Sequence, residues 1–77
     1  MRIEIRLLFH LRRYAPQNAE VLTMDFEAGA GLGQLIDRLA IPPDVQFIAL
    51  INGRPGRDDT PLHDGDVVTF LPRVEGG

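Results

Sequence analysis

At 77 residues the chain has room for one domain and no second core, and it buries only about 60–65% of its unfolded surface on folding. A composition of 44% hydrophobic and 25% charged residues is that of a globular rather than a disordered protein, while the net charge of −3 argues against a nucleic-acid groove, which needs a basic excess. The absence of cysteine excludes disulfides, thiolate–metal sites and a cysteine nucleophile.

The longest apolar run, Phe47–Ile51, is too short to cross a bilayer, and the alternation that follows Met1 is not the apolar core of a signal peptide. A cytoplasmic protein with no membrane partner is therefore expected. All eight basic residues are arginine. Codon bias is the plain explanation, but a protein that carries an activated acyl group also benefits from lacking side-chain amines, which attack such groups.

Ile3, Ile5, Leu7 and Phe9 alternate with Glu4, Arg6 and Leu8, which predicts a first strand. Leu11–Tyr14 is compatible with one helical turn, stopped by Pro16. Val21–Phe26 forms the second strand, with Leu22, Met24 and Phe26 on one face and hairpin pairing to the first expected. The period then changes: Leu32, Leu35, Ile36 and Leu39 fall at i, i+3, i+4 and i+7, the stripe of an amphipathic helix of at most about three turns. Its start is weakly marked, with Gly29, Gly31 and Gly33 and no side chain that caps well, whereas Pro42-Pro43 marks its end.

Gln46–Asn52 reads as a third strand, and its apolar residues on both faces suggest a central or well-covered position. Asn52-Gly53 is the strongest turn signal in the chain. Arg54–Pro61 has room for a short edge strand, and His63–Asp66 turns the chain into a last strand, Val67–Leu71. The order strand, strand, helix, strand, short strand, strand predicts an α+β domain in two layers over residues 1–71, with an extended tail over 72–77.

Little in this chain carries chemistry. His10 and His63 are isolated imidazoles, and His63 with Asp64 and Asp66 is a surface turn before it is a metal site. Gly29-Ala30-Gly31-Leu32-Gly33 lacks the spacing of a dinucleotide loop, and a P-loop lysine is missing. Arg12-Arg13 is either a solvated turn or a contact for an anionic partner. The chain ends in Gly76-Gly77 directly behind a strand and Pro72, with only Arg73, Val74 and Glu75 between. Without Cβ atoms, two glycines can pass through a channel too narrow for other residues, and Pro72–Gly77 extended reaches about 20 Å. Pro72 also ends the ladder, since it has no N–H to donate.

The stretch Thr60–Gly77 resembles the MoaD/ThiS family of sulfur carriers, matching its P-L-x-D-G-D-x-V-x-F-x-P-x-V-x-G-G pattern without a gap; Asn52-Gly53 fits the family's V-N-G turn. The family's F-x-x-L-R-E segment is only partly kept: Leu8-Phe9-His10-Leu11-Arg12-Arg13 retains Leu-Arg, lacks phenylalanine at the matching first position, and reverses the following charge. The resemblance implies a ubiquitin-like β-grasp fold, a mixed sheet of four to five strands covered by one main helix. It implies no catalysis by the chain alone and no cofactor of its own. An E1-like enzyme would adenylate Gly77, a sulfur donor supplied by a sulfurtransferase would leave a thiocarboxylate, and the tail, Pro72 to Gly76, would thread into the large subunit of molybdopterin synthase. Pro72 favours this branch over the thiamin-type branch. Phe70 and Arg12 are expected at the partner interface, with a core position weighed for Phe70. Other readings are carriage of sulfur for thiamin or cysteine synthesis, a modifier joined to target lysines, and an interaction module with an idle tail.

Overall fold

The structure, a computed structural model, describes residues 1–73. Val74, Glu75, Gly76 and Gly77, on which most of the threading expectation falls, lie outside the described residues. Five strands form one mixed sheet: β1 (Arg2–Leu7), β2 (Val21–Asp25), β3 (Phe47–Ile51), β4 (Arg54–Pro55) and β5 (Val67–Pro72), in the order β2-β1-β5-β3-β4. β1 and β5 run parallel at the centre, and the remaining pairs are antiparallel. One helix, α1 (Leu32–Leu39), covers one face.

The predicted periods set what is buried. Ile3, Ile5 and Leu7 of β1 and Val68 and Phe70 of β5 are fully enclosed, and they meet Leu32, Leu35 and Leu39 of α1. This is the ubiquitin-like β-grasp. β3, for which its double-sided apolar pattern suggested a central or well-covered position, is not at the centre but is paired on both sides, between β5 and the two-residue edge strand β4. Ala49 points into the core, while Ile48 and Leu50 are half-buried on the face that α1 does not cover.

Phe9 leaves the first strand. β1 stops at Leu7, Phe9 takes φ of 56° and is 74% exposed, and a 3-10 segment spans Phe9–Tyr14. Leu11, within that segment, is fully buried in its stead.

The helix start is better held than its composition suggests. Gln34 Oε1 accepts from the Gly31 N–H at 2.8 Å, while the N–H groups of Leu32 and Gly33 donate to the carbonyls of Thr60 and Asp58, each at 2.9 Å. A loop far away in sequence thus satisfies the orphan donors of the first turn. A Cβ on Gly33 would stand 3.2 Å from the Asp58 carbonyl oxygen, so glycine here serves close approach. At the other end the stop is Ala40, in the left-handed region at φ 57°, rather than Pro42-Pro43. The reversal at Ala40 brings Ile41 back against the core, where it is buried.

Candidate functional site

The two turn motifs of the sequence, Asn52-Gly53 and Asp64-Gly65-Asp66, form one structure. Asn52 and Gly53 both have positive φ, 52° and 84°, as a tight hairpin turn requires. The Asn52 side chain donates to Asp66 Oδ1 at 2.9 Å and accepts from the Val67 N–H at 2.9 Å. Asp66, only 8% exposed, takes the His63 N–H on Oδ2 at 2.8 Å. The Arg2 N–H donates to Asp64 Oδ1 at 2.7 Å, which ties in the start of β1. Both oxygens of Asp66 are therefore engaged, one by the Asn52 turn that follows β3 and one by the His63 N–H, while the β1 backbone is held by Asp64 and by the Glu4 N–H donating to the Asp66 carbonyl. Among the described residues no three His, Asp or Glu side chains converge as a metal site would require.

The opposite end of the sheet is built differently. β5 runs through Pro72, one residue beyond the expected strand end; Pro72 pairs with Phe47 and, having no N–H, closes the ladder. Phe70 is corrected from a partner-facing position to the core: it is fully buried and meets the Phe47 ring edge-on at 5.3 Å. Its neighbour Leu71 faces the other way, beside Ile48. The parallel register Leu7 to Phe70, and the Leu8 N–H bonded to the Phe70 carbonyl at 3.0 Å, bring the 3-10 segment alongside the end of β5.

Phe9, His10, Leu71 and Pro72 accordingly line an apolar hollow of about 330 Å³ at the point where the chain leaves the sheet. Phe9 also borders a second hollow of about 350 Å³, shared with His10, Arg12, Arg13 and Asn18. Arg12 is exposed and its Nε donates to the Asn18 carbonyl at 3.3 Å; Arg73, the last described residue, is exposed too. The structure thus brings Arg12, Pro72 and Arg73 to one end and removes Phe70 from it. Sequence reasoning missed Phe9 and Leu71. The signal was there, because Leu8-Phe9 and Phe70-Leu71 are adjacent apolar pairs, and a two-faced strand can hide only one member of each. A larger hollow of about 480 Å³ lies between α1 and β3, with Asp37 and Asp58 on its wall.

No helix among the described residues is long and apolar enough to cross a membrane. The chain is similar in structure to SAMP1, small archaeal modifier protein 1 of Haloferax volcanii, at 22% identity and a TM-score of 0.81 over 100% of both chains. It is equally similar to molybdopterin converting factor subunit 1 of Pyrococcus furiosus, at 22% identity and 0.81 over 95% of this chain and 98% of that one. A complex of subunits 1 and 2 of the molybdopterin-converting factor of Helicobacter pylori contains a chain 25% identical, with a TM-score of 0.66 and full coverage of both. A sequence search of curated proteins returns no match. The ThiS family model matches residues 7–77, nearly the whole length and including Gly76-Gly77. The chain belongs to the ThiS family, whose ubiquitin-like members are small carriers or modifiers.

Proposed function

We propose that this chain carries sulfur on Gly77. In this reading the Gly77 carboxylate attacks the α-phosphorus of ATP on an E1-like enzyme and pyrophosphate leaves. A persulfide loaded by a sulfurtransferase then attacks the acyl carbon, the C–S bond forms as the C–O bond to AMP breaks, and a thiol of a partner cleaves the S–S bond of the resulting acyl disulfide, being oxidised to a disulfide itself, which leaves a thiocarboxylate. With no cysteine in the chain, a side-chain persulfide is not an option, so the terminus is the place for the sulfur. ATP and the final acceptor are held by the partners, and this chain is not catalytic alone.

The observation that supports it most is the exposed Phe9, 74% accessible, beside Leu71 and Pro72 where the last strand ends and the Gly-Gly segment follows. An aromatic anchor beside the start of the tail gives a partner a grip that aims the tail into its own chamber. The likeness to a subunit that assembles with a second subunit in Helicobacter pylori favours the large subunit of molybdopterin synthase as that partner. In this assignment Arg12 and Arg73 meet acidic groups of the partner, and Val74, Glu75 and Gly76 thread behind Pro72.

The second reading, attachment of Gly77 to lysines of target proteins, is favoured by the likeness to a small archaeal modifier protein. A tagged chain recovered from cells under denaturing conditions separates the two. The carrier reading predicts one species of free chain; a ladder of isopeptide-linked products would establish the modifier. Removal of Gly76-Gly77 should abolish the associated cellular phenotype, and an unchanged phenotype would make the tail idle.

A further inference from the structure

We infer that the open edge of β2, with the hollow beside it, binds an extended segment of a protein partner, one with apolar residues at alternate positions and a carboxylate that meets Arg38. β2 ends the sheet on one side and pairs only with β1. The Leu7 N–H donates to the Glu20 carbonyl and the Phe26 N–H to the Met1 carbonyl, each at 2.8 Å. These bonds fix the parity of the antiparallel ladder between them. Leu22 and Met24 turn their backbone groups toward β1, while Val21, Thr23 and Asp25 turn theirs outward. Of the outward groups, only the Asp25 carbonyl has a partner among the described residues, the Arg38 guanidinium at 2.8 Å. The opposite edge, β4, is blunted by its length of two residues and by Pro55, whereas β2 is five residues long, has no proline and exposes Val21 at 51%.

The side chains beside this edge select the kind of segment. Leu22 and Met24 of β2, Leu39 of α1, Tyr14 and Pro16 border a hollow of about 450 Å³, in which Arg38 is the one charged lining residue. A strand added to β2 turns every second side chain into this hollow, which favours apolar residues there. Arg38 stands over the Phe26 ring, 4.5 Å from its centroid, and pairs with no carboxylate among the described residues. Stacked there and bonded to the Asp25 carbonyl, the guanidinium is held in place and keeps donors for an incoming carboxylate. A second copy of β2 supplies none: its residues on the helix side are Leu22 and Met24, and Asp25 lies on the other face beside Arg2. Phe9, Leu71 and Pro72 do not border this hollow. The surface is therefore separate from the end at which the tail leaves, and it stands whether or not Gly77 carries sulfur.

The experiment titrates the full chain with a short synthetic peptide in which valine alternates with threonine, flanked by aspartates, and follows amide chemical shifts and heat. Saturable binding is expected, with the shifts concentrated at Val21, Thr23 and the residues around the hollow. Arg38→Glu should weaken it at least about tenfold. Two further peptides are methylated on the backbone nitrogens of either the valines or the threonines. Only alternate N–H groups of an added strand face β2, so one of the two should lose binding and the other keep it. The methylated peptides leave the protein unaltered, so this arm holds even where Arg38→Glu unsettles Phe26. Two methylated peptides that bind alike would overturn the inference, as would binding unchanged in a folded Arg38→Glu chain. Absence of binding would overturn it too, including the case in which the chain sediments as a dimer that the peptide does not dissociate.

Discussion

The two ends of the central strand pair differ in how their polar groups are used. At the Asp66 end, Asn52 and Asp66 bond each other, and together with Asp64 they take the N–H groups of Val67, His63 and Arg2, so that little of these three side chains remains to offer a partner. At the Pro72 end the ladder stops at a residue without a donor, and Phe9, Leu71 and Pro72 present apolar surface to solvent. A domain this small has stability to spare for few exposed aromatic residues, so an exposed phenylalanine beside the outgoing segment marks the end that acts on others. One end fixes the fold and the other is available for recognition.

The largest effect is expected from Phe70→Ala, in the core beneath the recognition surface, which separates what is buried at the Pro72 end from what is exposed there. Phe70 is enclosed by both layers, and its loss should cost about 3–5 kcal/mol in chemical denaturation, a large part of the stability of a chain this size. A cost near zero would return Phe70 to the surface. Gly76→Val comes next: adenylation by the activating partner, measured as pyrophosphate release, should fall by about 100-fold while the thermal transition stays in place. Loss of that transition would show that the segment supports the fold. Asp66→Ala removes a buried carboxylate that accepts from Asn52 and His63, and about 2 kcal/mol of stability should go with it, without effect on partner affinity in the folded fraction. Equal weakening of partner binding would erase the distinction between the ends. Phe9→Ala should change stability by less than about 0.5 kcal/mol while weakening partner binding by about tenfold; a measurable fall in stability with normal binding would make Phe9 structural.

What the sequence made legible was local. Alternation located the residues of β1, β2, β3 and β5, the i, i+3, i+4, i+7 stripe located α1, and Asn52-Gly53 located its turn. What escaped depends on contacts between distant segments. Nothing near Gly31 and Gly33 announces that the carbonyls of Asp58 and Thr60 will satisfy the first turn of the helix. The turn near Leu11–Tyr14 and the adjacent pair Leu8-Phe9 are visible in the sequence, but that the 3-10 segment starts at Phe9, sinks Leu11 and expels Phe9 depends on how it packs. Alternation gives parity but not direction, so Phe70 and Leu71 could not be sorted until the helix was seen to cover one face. The tail chemistry came from resemblance to a family, and its docking surface from the fold.

Intact mass of the chain produced together with its activating enzyme and a sulfur donor tests the delivery of sulfur on Gly77 most directly. The account predicts a species in which one oxygen of the Gly77 carboxyl is replaced by sulfur, lost in Gly76→Val and retained in Phe9→Ala. A chain that keeps both oxygens under those conditions, with the activating enzyme shown to be competent on another carrier, would contradict it.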